Sequence, residues 1–599
     1  MTTLILMLET QHVGRVLIMA RIAIIDRKKC TKEKCGYRCL KVCPGVRMGD
    51  DTVTIDADGY PVISEVLCTG CGICPKKCPV DAIKIINLAE EIGKPAYQYG
   101  VNSFRLYGMP LPQDGVAGFI GRNGIGKSTA LRLLSGAIKP NFAETAELSD
   151  PEILKRLRIQ ERHYFEKIFS RDSKVSYKPQ SVDRIPQAFD GMAGELLKKT
   201  DERGMLEKYV KAFGLGAAMD KKLSELSGGE LQRVAIAAAC MKNADIYYFD
   251  EPASYLDIEQ RLAAGRAIKE LAAEKKVIVV EHDLALFDYL CDSVYVFFGE
   301  ENAFGRVSGL KASRNGINEY LEGYLKEENI RFRDHAVFFD IGGGGDRKSQ
   351  KLLDYPEMSK TFDKFSFHSE AGSISKGEVI GVLGRNATGK SLFVKMLAGV
   401  LPADSGDAKV QLKVSYKPQY VNYEGNEKVG EIFMKSGLNG LVFEECKRKL
   451  GIAGLLEKKA SEISGGEMQR VAITLALSQE ADIYLFDEPS AYLDIEQRLH
   501  FASLLRSVIQ SSDKAAFVVD HDVLLVDAIS NRLMVFAGDA GVKGTATAPL
   551  GKKDGMNGFL KMLGITLRRD KDSKRPRINK PDSALDREQK EAGNYYYQM

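Results

Sequence analysis

One block of sequence occurs twice. SELSGGELQRVAIAAACMKNADIYYFDEPASYLDIEQRL begins at Ser224 and returns 237 positions later, at Ser461, as SEISGGEMQRVAITLALSQEADIYLFDEPSAYLDIEQRL. A repeat at domain-sized spacing means two copies of one domain rather than a solenoid. A chain of 599 residues has room for three or four domains, so other parts must be attached to this pair. Net charge is +4, too small by itself to argue for nucleic acid. No apolar run approaches the roughly 20 residues that span a bilayer, so no membrane partner is expected. Residues 1–18 precede Met19 and the strand pattern ARIAIID, and read as an extension or a mis-assigned start.

Upstream of the first block an apolar strand runs into Gly121, Arg122, Asn123, Gly124, Ile125, Gly126, Lys127, Ser128 and Thr129, then into a helix pattern. This is a phosphate-binding loop in its strand–loop–helix context, with Lys127 for the β/γ-phosphates and Ser128 for Mg²⁺. The second copy keeps Gly384, Asn386, Gly389, Lys390 and Ser391. Next come SYKPQ segments ending at Gln180 and Gln419, each able to reach the metal or the attacking water. Ser227 with Gly229, and Ser464 with Gly466, stand where a long helix starts. Such a start can bind a γ-phosphate, and since its own copy's phosphate loop already supplies donors, it is expected to serve the opposite copy's site. Apolar strands then end in Asp250-Glu251 and Asp487-Glu488. The Asp supports Mg²⁺ and the Glu polarises water. Asp257 and Asp494 follow, and after one more strand come His282 and His521, suited to sensing phosphate.

This ordered set resembles the ABC-type ATPases. The resemblance implies a head-to-tail pair of α/β P-loop domains with two composite Mg-ATP sites, one joining Lys127 to Ser464 and the other Lys390 to Ser227. The copies are not identical. They lie 263 residues apart at Gly121 and Gly384 but 239 at Gln180 and Gln419, so the first carries about 24 extra residues near 146–174. There Asp150-Pro151 signals a helix start, and Leu154, Leu157, Tyr164, Phe165 and Ile168 recur at helical spacing among Lys and Arg. That pattern fits a charged surface hairpin or a docking arm. Ala387 replaces the glycine found at Gly124, where a Cβ restricts backbone approach to phosphate. Candidates for stacking on adenine are Tyr99 or Phe104 in the first copy and Tyr355 or Phe365 in the second.

Eight of the eleven cysteines fall between Cys30 and Cys78. Without a secretion signal, such density reads as metal binding in a reducing, cytoplasmic setting. Cys68, Cys71, Cys74 and Cys78, followed by Pro79, have the bacterial ferredoxin spacing for a [4Fe–4S] cluster. In that pattern the fourth cysteine reaches the other cluster. Cys68, Cys71 and Cys74 therefore pair with Cys43, and Cys30, Cys35 and Cys39 with Cys78. Thr69, Gly70 and Gly72 suit a loop that offers N–H groups to sulfur. Paired four-cysteine zinc sites are the alternative, but those come as separated C-x2-C knuckles. Cys240, Cys291 and Cys446 sit among apolar neighbours and read as buried small hydrophobes.

A hinge is expected at 313–340, with glycines at 342–345. The C-terminal 556–599 carries Arg568, Arg569, Lys571, Lys574, Arg575, Arg577 and Lys580 with two prolines. It reads as a mobile tail, or as an extended segment suited to phosphate-backbone contact.

The full order is an iron–sulfur head at 19–92, an ATPase unit at 93–312, the hinge, a second unit at 341–555, and a tail containing RPRINK. This resembles subfamily E of the ABC ATPases, the ribosome-recycling family also called RNase L inhibitor. The resemblance implies two ABC domains with an α+β ferredoxin-like domain, and two [4Fe–4S] clusters with a mechanical role. It implies ATP hydrolysis coupled to ribosome splitting after termination or rescue, by a monomer. The implied partners are the small ribosomal subunit and its rRNA, a release factor or Pelota-type rescue factor, and initiation factors. An ATP-coupled ferredoxin is the alternative from another class.

Overall fold

The computed structural model describes residues 21–87, 93–337, 350–406, 412–420, 426–511 and 513–596. The extension at 1–18 and the glycines at 342–345 lie outside the described residues. The chain divides into two units. One holds residues up to Tyr107 with 140–148 and 302–304; the other holds the remainder, including both repeated blocks.

In the first unit, strand Arg21–Ile25 pairs antiparallel with Ile83–Asn87, and Val53–Ile55 with Pro61–Ile63. Short helices Arg38–Val42, Pro44–Arg47 and Ile73–Lys77 complete an α+β fold. Its core is Ala23, Ile25, Val53, Ile63 and Ile83 together with Cys39, Cys43, Cys68 and Cys74. So small a core is a weak support by itself. The unit extends past the boundary expected at residue 92, and polar contacts explain why. Buried Asn102 donates to the carbonyls of Ala23 and Ile63 and accepts from the Ile63 N–H at 2.8 Å. Arg105 grips Glu65 through two hydrogen bonds of 2.9 and 2.7 Å.

The second unit contains two mixed sheets, in each of which five neighbouring strands are parallel and of like topology. In the first, Val116–Ile120 lies between Ser293–Glu300 and Lys276–Val280, followed outward by Ile246–Asp250 and Val175–Lys178. In the second, Glu378–Gly384 lies between Arg532–Asp539 and Ala515–Val519, followed by Ile483–Asp487 and Val414–Lys417. The central strands are buried along their whole length, as expected of parallel strands covered on both faces. The phosphate loops, the Gln180 and Gln419 segments, the Asp-Glu pairs and the two histidines leave the carboxyl ends of these strands, where open α/β sheets bind ligands, while Ser227 and Ser464 open helices. The expected fold class is therefore observed, as two α/β nucleotide-binding domains.

The extra residues of the first copy form helices Asp150–Arg156 and Ile159–Phe169. Ile153, Leu157 and Phe165 are buried, and Tyr164 donates its hydroxyl to the Leu134 carbonyl at 2.6 Å. Ile153, not Leu154, takes the buried place, a shift of one residue from the expected seam.

The basic C-terminal stretch is not a mobile tail. The boundary expected at residue 555 falls inside helix Lys552–Leu563, and strands Leu567–Arg569 and Pro576–Ile578 then pair antiparallel. Arg575 is 0% exposed and contacts Asp288 at 3.1 Å, while Arg577 holds the same carboxylate at 2.6 Å. Arg569 pairs with Asp527 at 3.0 Å. Asp288 and Asp527 lie on helices Leu284–Leu290 and Val523–Ile529, directly after His282 and His521. These arginines therefore meet carboxylates of the protein itself and are not offered to phosphates. Cys240, Cys291 and Cys446 are buried; burial pushes the Cys240 and Cys446 thiols up to about 12, which leaves them inert. Removing one member of a fully buried ion pair strands the other charge. Asp288→Ala is expected to cost about 3 kcal/mol, read as a lowered urea midpoint.

Candidate functional site: paired nucleotide loops and a thiol-rich head

In the head, helices Arg38–Val42 and Ile73–Lys77 present Cys39 and Cys74. Cys43 and Cys78 end these helices in matching extended conformations, with ψ of 124° and 119°. The proline after each disfavours helical backbone at the cysteine, so the chain turns away there. Cys43, Cys68, Cys71 and Cys74 line one cavity with Gly45 and Thr52. Burial pushes the Cys74 thiol up to about 12, and Cys68, Cys71 and Cys43 add to the shift as neighbours. Burial likewise raises Cys39 to about 11, with Cys35 and Cys30 contributing. The Gly70 N–H donates to the Cys68 sulfur at 3.4 Å, and the Ala82 N–H to Cys78 at 3.3 Å. Among the described residues no three His, Cys, Asp or Glu side chains converge as a single-ion site. Thiols spread around a cavity, with backbone donors on sulfur, fit a polynuclear cluster.

Each phosphate loop leads into a short helix, Lys127–Leu134 or Lys390–Leu397. Lys127 is buried and donates to the carbonyls of Gly121 at 2.8 Å and Arg122 at 2.6 Å. Lys390 repeats this with Gly384 and Arg385 at 2.9 and 2.6 Å. Burial lowers both ammonium groups to about 8, and the acids nearby resist that shift. Asp250 and Asp487 are buried at their strand ends beside Ser128 and Ser391. Burial raises both acids, Asp487 to about 6. One oxygen of Asp250 and both of Asp487 have no hydrogen-bond partner. Such orphaned, buried carboxylate oxygens fit a divalent cation.

Gln180 donates to Glu251 at 2.6 Å and Gln419 to Glu488 at 2.8 Å, so each Gln meets the Glu. His282 and His521 are buried with Nε2 at 3.6 Å from Glu251 and Glu488. Burial lowers both imidazoles, and those Nε2 atoms have no hydrogen-bond partner. Glu251 and Glu488 each have φ of 47°, in the left-handed region. Such strain costs about 1–3 kcal/mol and persists only where the surroundings enforce it.

Ser227 and Ser464 cap helices Gly228–Met241 and Gly465–Ser478, each in a reciprocal box with Glu230 or Glu467. A Cβ on Gly229 or Gly466 would lie 3.0 Å from the Tyr255 or Tyr492 carbonyl, so the close approach there favours glycine.

The copies meet reciprocally. Asp494 accepts from the Asn123 N–H at 3.1 Å, and Asp257 from the Asn386 N–H at 2.9 Å. Arg122 lies 3.5 Å from Glu496, and Arg385 lies 2.5 Å from Glu259. The Tyr255 and Tyr492 hydroxyls are 3.2 Å apart. Each copy's loop after the Asp-Glu strand thus touches the other copy's phosphate loop, a head-to-tail pair.

The ABC transporter family profile matches residues 107–254 and 368–491. Translation initiation factor RLI1 of Saccharomyces cerevisiae is 42% identical, over 96% of this chain and 98% of its own. A solved complex of the archaeal ribosomal stalk protein aP1 with the archaeal ribosome recycling factor aABCE1 is similar at TM-score 0.81 and 47% identity, covering 85% of this chain and 100% of that one. A structure of ribosome-bound archaeal Pelota and ABCE1 is similar at TM-score 0.90 and 47% identity, covering 97% and 99%. The chain belongs to subfamily E of the ABC ATPases.

Several residues of this subfamily E site were not singled out from sequence. Arg261 pairs with Asp283 at 2.6 Å and reaches the His521 carbonyl of the other copy at 3.4 Å. Arg498 pairs with Asp522 at 2.8 Å. The identical IEQRL in both copies was the available signal. Lys178 and Lys417 donate to the carbonyls of the Asp-Glu pairs, and burial lowers each to about 8. Tyr355 is corrected as an adenine platform: it is 1% exposed, with its ring 5.8 Å from that of Phe393, and so belongs to the core. Phe365 and Phe104 are half-buried and Tyr99 is exposed. Among the described residues no helix is long and apolar enough to cross a membrane.

Ala387 adopts φ of 58° where Gly124 has 73°. The second loop therefore keeps the same turn with a strained alanine. Ala387→Gly is expected to stabilise the nucleotide-free protein by about 1 kcal/mol in urea unfolding.

Proposed function

We propose that this chain hydrolyses ATP to ADP and phosphate at two composite sites and uses the resulting clamp motion to split ribosomes into subunits. The reciprocal contact of Asp257 and Asp494 with the opposite phosphate loops carries the two-site clamp, and the similarity to ribosome recycling factors over nearly the whole chain carries its use on ribosomes. ATP held by one loop would bear directly on the other copy. Lys127 and Lys390 would leave their carbonyl partners for the β/γ-phosphates. Ser128 with Asp250, and Ser391 with Asp487, would hold Mg²⁺. Glu251 and Glu488 would polarise the attacking water, Gln180 and Gln419 would orient it, and the neutral His282 and His521 would contact the γ-phosphate. Ser464 and Gly466 would close over ATP on Lys127, and Ser227 and Gly229 over ATP on Lys390.

In the head, Cys30, Cys35, Cys39 and Cys78 would hold one [4Fe–4S] cluster, and Cys68, Cys71, Cys74 and Cys43 the other. Bound clusters supply cross-links that brace a domain with little core of its own. A ribosome, a Pelota-type factor and a role in initiation are supported by the relatives' names; the small ribosomal subunit with its rRNA, a release factor and initiation factors are proposed as further partners from the family resemblance. The stalk protein seen with the recycling factor is a further one.

The Glu251→Gln, Glu488→Gln double variant is expected to lose at least about 100-fold in ATP turnover. In a sucrose gradient with ribosomes, release factor and ATP, intact ribosomes should persist with that variant and split with the parent. Splitting by the double variant would overturn the coupling. Cys68→Ser is expected to halve the iron content and the visible absorption of anaerobically purified protein, and unchanged iron would overturn the cluster assignment.

A further inference from the structure

The two Asp-Glu loops share one backbone, yet one hydroxyl has moved between them. Glu251 and Glu488 have the same φ of 47°, and Tyr255 and Tyr492 have φ of 65° and 61°. Between them the first copy has Ala253-Ser254 and the second has Ser490-Ala491. In the second copy, Ser490 donates its hydroxyl to Asp520 at 2.7 Å. In the first, Glu281 stands in place of Asp520. Both acids accept the loop's backbone N–H, Asp520 from Ser490 at 3.0 Å and Glu281 from Ala253 at 2.8 Å, so only the added hydroxyl contact differs.

The relocated hydroxyl of Ser254 donates to Glu251 Oε2 at 3.1 Å, while Gln180 donates to Oε1 at 2.6 Å. Both oxygens of Glu251 are thus held by side chains. Glu488 receives Gln419 on Oε1 at 2.8 Å, and the residue at the place of Ser254 is Ala491, which has no hydroxyl to give. Ser254 also begins the loop that crosses to the other copy. Tyr255 follows it, with its hydroxyl 3.2 Å from that of Tyr492, and then Asp257, which accepts from the Asn386 N–H at 2.9 Å.

We propose that Ser254 is a positioning residue that orients the Glu251 carboxylate and ties it to the loop seated on the opposite phosphate loop, a tie the second site lacks. The inference rests on Glu251 and Glu488 acting on water. A hydrogen bond from Ser254 to Oε2 opposite the one from Gln180 to Oε1 fixes the plane of the carboxyl group, and its loss frees that group to rotate away from the water it must polarise. Since Ser254 contacts the carboxylate, its effect falls on kcat and leaves KM for ATP alone.

The test uses the full-length, cluster-loaded protein with one site silenced. In the Glu488→Gln background, which isolates the first site, Ser254→Ala is expected to lower kcat about tenfold with KM unchanged, and Ser254→Thr to restore it. In the Glu251→Gln background, Ala491→Ser is expected to raise kcat of the second site, again with KM unchanged. An unchanged kcat for Ser254→Ala, a parallel change in KM, or failure of Thr to rescue would overturn the proposal. Residual turnover in the Glu251→Gln, Glu488→Gln protein would instead remove the catalytic assignment beneath it, and is read in a separate sample.

Discussion

A carboxylate from each copy accepts a hydrogen bond from the other copy's phosphate-loop amide, and the arrangement of the larger unit depends on that exchange. Asp257 and Asp494 are themselves buried and cap helix starts within their own copies. Each is therefore fixed before it reaches across. Arg122 and Arg385, one residue before the contacted amides, meet Glu496 and Glu259 and set the register of the pairing. A hydrogen bond of this kind to a buried carboxylate contributes about 1.5–3 kcal/mol. Its importance is positional, because the amide it holds belongs to the loop that must open toward phosphate.

Around that seam the electrostatics are arranged for a ligand. Buried lysines are lowered to about 8, and buried acids at the strand ends are raised. Neutral, unpartnered imidazole nitrogens point toward glutamates on strained backbone. Each of these features is costly in isolation. They would become favourable together on entry of a polyanion and a divalent cation, the cation satisfying the carboxylates and the phosphates the lysines. The cost of preorganisation is met by two sheets whose central strands are buried throughout.

The C-terminal segment uses the duplication in another way. Asp288 and Asp527 occupy the same place in their copies, on the helices that follow His282 and His521. One segment supplies Arg575 and Arg577 to the first and Arg569 to the second. Both histidine-bearing loops are thereby anchored to a common strand pair. A segment rich in Arg, Lys and Pro looks solvated when its charges are counted alone. It is buried here because three carboxylates, Asp288, Asp527 and Asp570, lie where the strands can reach them.

Much of the site was legible in the chain because its motifs are local. Gly121 to Thr129, or Asp250-Glu251 at the end of an apolar strand, carry loop geometry and chemistry within a few residues. Duplication then separated meaningful identities from chance ones. Partnerships over long separations were not legible: Arg575 meets Asp288 across 287 positions, and Arg261 reaches a carbonyl of the other copy across 260. Tyr355 was misread because an aromatic upstream of a phosphate loop can face nucleotide or core, and only packing decides which. The sequence by itself determined two P-loop domains, a thiol-rich head and the residues that gather at the strand ends, since strand periodicity and motif spacing are properties of short segments. The tertiary structure alone decided which acid each arginine meets, that the basic end is folded in, and that the Ser254 hydroxyl lands on Glu251, because burial and cross-copy contact arise only once distant segments share one core.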